Sequence, residues 1–79
     1  MEKGVQPLDE LLTRLNLKNS DLVEHSTEQL THKMVAKGRK GRALTFNAQM
    51  KILKALNASH SGNPFTHSEL FNYEGRRSV

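Results

Sequence analysis

The chain has 79 residues and a formal net charge of +4, which suits one small basic domain with a thin core. It contains no cysteine, which excludes disulfides and thiolate metal sites and favours a reducing, cytoplasmic setting. No apolar run approaches the roughly 20 residues of a membrane span, and MEKGVQPLDE lacks the apolar segment of a signal peptide, so no membrane partner is expected.

The charge is distributed unevenly along the chain. Residues 1–30 hold three basic and six acidic side chains, a net charge of −3. Residues 31–60 hold seven basic side chains and no acidic one, a net charge of +7. Such asymmetry in one small domain predicts a one-sided positive potential and a polyanionic partner. The alternative is a basic face that only water covers.

Two short helices are predicted in the acidic part. A proline in the first turn, followed by two acidic residues and spaced leucines, predicts a helix over 7–16. Asn19 or Ser20 can cap a second helix over about 20–26.

The third helix has two possible starts. Ser26 and Gln29 have the spacing of a capping box, whereas Thr31 can also cap, with Leu30 and Val35 as its hydrophobic staple. The start is therefore predicted between 27 and 32. The helix ends at Gly38 or Gly41, and both glycines are expected to let the chain turn sharply.

Two further helices complete an all-α fold of four to five short helices. Apolar spacing predicts the fourth over 46–57, and a capping box formed by Thr66 and Glu69 predicts a fifth over 67–73. We divide the chain into a main domain over 1–63 and a segment over 64–79 that either caps the core or forms a dimer interface. The expected core residues are Leu11, Leu15, Leu22, Leu30, Val35, Leu53 and Leu56.

The last segment has more apolar surface than a short helix can keep in water, because Phe65, Phe71 and Tyr73 cluster in it. The sequence slightly favours a homodimer. Deletion of 64–79 is then expected to leave the first four helices folded and to yield a monomer.

The order of these elements resembles the helix-turn-helix domains of the lambda-repressor and Cro type. The resemblance is carried by LTRLNLKNSDLVE, by LTHKMVAKGRKGRALT and by MKILKALNA, and it covers about residues 8–58. It implies a sequence-specific double-stranded DNA-binding protein, a small transcriptional regulator that acts as a homodimer. The chain departs from the family pattern in a longer polar connection before the third helix, in Val23 at a usually small position, and in Gly38 where an apolar core residue is usual.

If the third helix enters the major groove, its exposed side chains contact DNA. The predicted base contacts are Thr31, His32, Lys33 and Ala36. The predicted phosphate contacts are Asn19, Ser20, Lys37, Arg39, Lys40 and Arg42. Lys51 and Lys54 are expected to form a solvated face.

Two other functions fit the same fold. One is a protein–protein adaptor or antitoxin-like module, in which the last segment docks a partner. The other is an RNA-binding module, which the lack of aromatic residues in the basic region disfavours. We expect no enzymatic activity, cofactor or metal site, because the carboxylates lack a neighbouring base and the four histidines lie far apart in sequence.

Overall fold

A computed structural model of the chain describes residues 4–60 and 62–75. The protein is an all-α bundle, as predicted. The described residues form five helices, α1 (Pro7–Arg14), α2 (Asn19–His25), α3 (His32–Lys40), α4 (Phe46–Ser59) and α5 (His67–Leu70). The helices α1, α2 and α4 begin and end within two residues of their predicted bounds, and α3 lies within the ranges predicted for its two ends. The helix α5 ends three residues earlier than predicted.

The start of α3 is at Thr31, the later of the two candidates. The Thr31 hydroxyl accepts a hydrogen bond of 3.1 Å from the backbone N–H of Met34, which has no partner within the helix. The Ser26 hydroxyl instead accepts from Glu28 N–H at 3.1 Å and donates to its carbonyl at 2.7 Å. Leu30 and Val35 are both buried at the positions of the staple.

One hydrophobic core joins all five helices, with α2 against α4 and α1 against α3 and α5. Its buried side chains are Leu8, Leu12, Leu22, Leu30, Val35, Ile52, Leu53, Ala55, Leu56, Leu70 and Phe71. The prediction for α1 was wrong in part, because Leu8 and Leu12 are fully buried while Leu11 and Leu15 are half-buried at the edge.

Gly38 lies inside α3 and does not turn the chain. A Cβ at this position would lie 3.0 Å from Cδ1 of Ile52 and 3.3 Å from Cδ2 of Leu8. The glycine therefore lets α3 approach α1 and α4 closely, where a larger side chain would separate the helices. Only Gly41 makes the predicted sharp turn, with a left-handed φ of 82° that ends α3.

Residues 64–75 cap the core of their own chain. Leu70 is fully buried and Phe71 is 2% exposed, both in the common core. The apolar surface that favoured a dimer interface is thus covered within one chain, and the capping alternative describes this segment.

The buried Gln49 on α4 holds this segment in place. Its Nε2 donates to the Tyr73 carbonyl at 3.2 Å, and its Oε1 accepts from the Gly75 N–H at 2.6 Å. The same oxygen lies 2.8 Å from Nε2 of His67. One fully buried amide therefore satisfies three groups of the last segment.

We expect Gln49→Leu to lower the free energy of unfolding by about 2–4 kcal/mol, since each buried polar group left unpaired costs about 1–3 kcal/mol. Urea denaturation followed by circular dichroism measures the change. Gln29→Leu makes the same substitution at an exposed position and should leave stability nearly unchanged. Equal effects from both variants would contradict a structural role for Gln49.

Candidate nucleic-acid interface

Three lysines lie along one side of α3. Lys33, Lys37 and Lys40 are spaced four and three residues apart, which places them on the same face of a helix. Lys33 and Lys40 are exposed and Lys37 is half-buried. Among the described residues no carboxylate forms an ion pair with any of the three. We call these residues the lysine face.

The predicted base-contact residues lie at the start of α3. Thr31, His32 and Lys33 are exposed, while Ala36, one turn further, is half-buried. The inward side of the same helix carries Val35 and Gly38, which are buried. The Thr31 hydroxyl oxygen already accepts the capping hydrogen bond from the Met34 N–H. Towards a ligand the Thr31 side chain can therefore act as a donor, through its hydroxyl proton.

Three acidic side chains make contacts with residues outside the lysine face. Asp21 accepts from the Lys18 backbone N–H at 2.7 Å, and Glu69 accepts from the Thr66 N–H at 2.9 Å. Glu28 lies 3.6 Å from Nζ of Lys54 on α4. None of these three carboxylates forms an ion pair with the lysine face.

Arg39 bonds within the protein. Its Nε donates to Oδ1 of Asp9 at 2.6 Å, and its Nη1 donates to Oδ1 of Asn19 at 2.9 Å. The guanidinium thus ties α3 to both α1 and α2. Two of the predicted phosphate contacts therefore bind each other, and we assign Arg39 and Asn19 the role of fixing α3.

We expect Arg39→Met to lower the free energy of unfolding by about 1 kcal/mol, because the pair is only partly buried. The dependence of DNA affinity on salt should stay as in the unmodified protein, since no phosphate contact is lost. Titrations at several salt concentrations measure this slope. Lys37→Ala is the comparison and should reduce the slope by about 0.9. An equal reduction with Arg39→Met would restore Arg39 as a phosphate contact.

A cleft of 490 Å³ runs along α3, from His32 in its first turn to Arg39 in its last turn. Its lining residues are Leu12, Thr13, Asn16, Leu17, Lys18, Asn19, Ser20, His32 and Arg39. The lining has two cations, Lys18 and Arg39, and no carboxylate. Because Arg39 is paired with Asp9, Lys18 is the cation that the cleft offers to an anion. Ser20, a predicted phosphate contact, lines this cleft beside Asn19. Lys18 also lines it and was not among the predicted contacts, because it precedes α2 and carries no motif.

The basic turn after α3 lies at the C-terminal end of the helix. Lys40 and Arg42 are both exposed on either side of the left-handed Gly41. The Arg42 carbonyl accepts a hydrogen bond of 3.0 Å from the Tyr73 hydroxyl, which fixes the backbone of the turn. The positive charge of the lysine face thus continues beyond the end of α3.

Comparison of the chain with protein-family models, with characterised proteins and with solved structures gives no match. Within the described ranges, no helix has both the length and the apolar character to cross a membrane. The same residues contain no group of three histidine or acidic side chains that can hold a metal ion. Function is therefore inferred from the geometry and charge of α3 and its flanks.

Proposed function

We propose that this protein binds double-stranded DNA in a sequence-specific manner, as a small transcriptional regulator. The observation that carries the proposal is the lysine face, which is free of ion pairs among the described residues and continues from the exposed first turn of α3. A surface of this kind attracts the phosphate backbone and presents side chains to the bases at the same time.

The size of α3 suits the major groove. The helix has nine residues and is therefore about 13 Å long. With side chains it has a diameter of about 10–12 Å, and the groove of B-DNA is about 12 Å wide. The exposed first turn can then reach base edges, because recognition helices read with their N-terminal residues.

The side chains at this turn can distinguish bases. Lys33 can donate to O6 and N7 of guanine, and His32 can exchange hydrogen bonds with a base edge. Thr31 can donate its hydroxyl proton, and the methyl group of Ala36 can contact the methyl group of thymine. We propose these four residues as the base contacts.

Phosphate contacts are proposed along α3. Lys37, Lys40 and Arg42 lie towards the end of the helix, and Ser20 and Lys18 line the cleft that runs along it. These groups fix the register of the helix on the duplex without reading sequence.

Surface composition favours this function over a protein–protein adaptor. Among the described residues Val5, 71% exposed, is the only large hydrophobic side chain that is exposed, since the others are buried or half-buried. A docking surface for a protein usually has an apolar centre. Ring contacts link Phe46, His67, Phe71 and Tyr73 to one another. The helix α3 itself contains no Phe, Tyr or Trp on which the bases of single-stranded RNA could stack.

Selection from a random-sequence duplex pool tests the proposal, with a pool of RNA hairpins as the control. We expect enrichment of a DNA motif and an affinity that falls steeply between 50 and 200 mM salt, as is usual when about six or more phosphates are contacted. A palindromic motif would support a homodimer on two half-sites, and a single short motif a monomer. Enrichment of RNA alone, or of neither pool, contradicts the proposal.

A further inference from the structure

The apolar part of the cleft along α3 is fixed by the end of α1. Asn16 has a left-handed φ of 57°, and its N–H donates to the Thr13 carbonyl at 3.1 Å. The Leu17 N–H donates to the Leu12 carbonyl at 2.9 Å. This pair of bonds around a left-handed residue is a Schellman motif, in which Leu12 and Leu17 are the usual apolar pair. Both leucines line the cleft, so its apolar surface belongs to a well-defined turn.

Hydrogen bonds also hold the polar part of the lining. The Lys18 N–H donates to Oδ2 of Asp21 at 2.7 Å, which fixes the backbone at the start of α2. Arg39 of α3 donates to Oδ1 of Asn19 at 2.9 Å. Since a guanidinium has no acceptor, the amide oxygen of Asn19 faces Arg39 and its NH₂ group is left to donate elsewhere. The cleft is therefore preformed, as small-molecule sites usually are.

Four polar groups of the lining have no hydrogen-bond partner among the described residues. They are the Lys18 ammonium, the Asn19 NH₂ group, the Ser20 hydroxyl and the His32 ring. Each of the four can donate a hydrogen bond, Lys18 adds a positive charge, and the lining contains no carboxylate. Such a set of donors suits a phosphate group, which has about two negative charges and three strong acceptor oxygens.

The cleft is larger than a phosphate group requires. Its volume of 490 Å³ lies in the range of about 300–1,000 Å³ that is typical of small-molecule sites. A single water in the liquid takes about 30 Å³, and a phosphate has the size of only a few waters. The remaining space adjoins Leu12 and Leu17, which offer an apolar surface to an organic group carried by the phosphate.

We propose that the cleft binds a small organic phosphate, a phosphate monoester with an aromatic or aliphatic group, and that this ligand displaces DNA. The second part rests on the proposed DNA-binding function, because Lys18, Ser20 and His32 are also proposed contacts to the duplex. A ligand on these three residues occupies the place of a backbone phosphate, so ligand and duplex exclude each other. At ten times its dissociation constant such a ligand raises the apparent dissociation constant of DNA about elevenfold.

Titration of the full chain with phenyl phosphate, without DNA, tests the site by NMR of the backbone amides. We expect saturable shifts at residues 16–20 and at His32. Inorganic phosphate should bind more weakly because it lacks the apolar group, and benzyl alcohol, which lacks the phosphate, should cause no saturable shift. Lys18→Ala should weaken phenyl phosphate binding about tenfold or more, since a charged hydrogen-bond donor is lost. The fold should be unaffected, because Lys18 holds Asp21 through its backbone. Lys51→Ala on α4 removes the same charge elsewhere and should bind as the unmodified protein does.

Two results of this titration would overturn the site. One is the absence of saturable shifts. The other is shifts that spread over the lysine face and are equal for phenyl phosphate and inorganic phosphate, which would indicate general ion binding.

Gel shifts with phenyl phosphate added to the DNA complex test the displacement. We expect release of the duplex at ligand concentrations above the dissociation constant from NMR. If ligand and duplex bind together, the displacement is wrong while the site and the proposed function stand. If the protein binds no duplex DNA at all, the proposed function and the displacement fail, and the NMR titration alone decides the site.

Discussion

Replacing Leu70 by alanine should lower the free energy of unfolding by about 2–5 kcal/mol, the usual cost of truncating a buried leucine. Leu70 has no exposed surface and packs in the core with the leucines of α1. Domains of this size have roughly 4–12 kcal/mol of stability in total, so a large part of it is lost. Deletion of residues 64–79 removes Phe71 and the partners of Gln49 as well, and we expect the remaining chain to be unfolded.

Circular dichroism with urea denaturation measures both effects. Val5→Ala shortens a side chain that is 71% exposed and should change stability by less than about 0.5 kcal/mol. A truncated chain that stays folded but changes from dimer to monomer in sedimentation would contradict the intramolecular cap. It would support the dimer that the sequence favoured.

Much of the fold could be predicted because helix ends depend on local chemistry. Thr31 and Thr45 each accept a hydrogen bond from a backbone N–H three residues later, and the left-handed Gly41 ends α3. Each of these signals lies within a few residues of the end that it marks. The early end of α5 has another origin, since residues after Leu70 leave the helix to reach Gln49, which is 26 residues before Gly75.

The core was less predictable, because the side of a helix that is buried depends on its neighbours. Leucine spacing alone allows α1 to face inward with Leu11 and Leu15 or with Leu8 and Leu12. The observed choice follows from α3 and α5, which both pack against α1. The role of Gly38 was not predictable either, because only the structure shows how closely Ile52 packs against it. The absence of a side chain at position 38 makes room for this close packing.

The candidate site, too, could be predicted from the sequence only in part. The exposure of His32 and Lys33 follows from the staple formed by Leu30 and Val35, all within a few residues. The bond between Arg39 and Asp9 joins residues 30 positions apart, and no motif marks such a pair. The partner of Arg39 could therefore be seen only in the structure. A phosphate contact by Arg39 stays a prediction, which the salt slope of Arg39→Met tests.

Removing the lysine face should have the largest effect on function. The variant Lys33→Ala/Lys37→Ala/Lys40→Ala should make the salt slope of DNA binding shallower by about 1.8, because it removes the two proposed phosphate contacts Lys37 and Lys40, which contribute about 0.9 each. At 0.15 M salt this corresponds to a loss of affinity on the order of 30-fold. Loss of Lys33 adds a loss of discrimination between bases, since Lys33 is the proposed reader of guanine.

The fold should survive this change, which is what makes the variant informative. Two of the three lysines are exposed, the third is half-buried, and alanine is the strongest helix former. The loss of cations near the end of α3 costs only about 0.3–1 kcal/mol each. Gel shifts across a series of salt concentrations, with circular dichroism of the same samples, separate binding from folding.

Lys51→Ala/Lys54→Ala on α4 controls for general loss of charge. A triple variant that is folded and binds duplex DNA with unchanged affinity and slope would show that the lysine face is solvated surface, and the DNA-binding proposal would lose its main support.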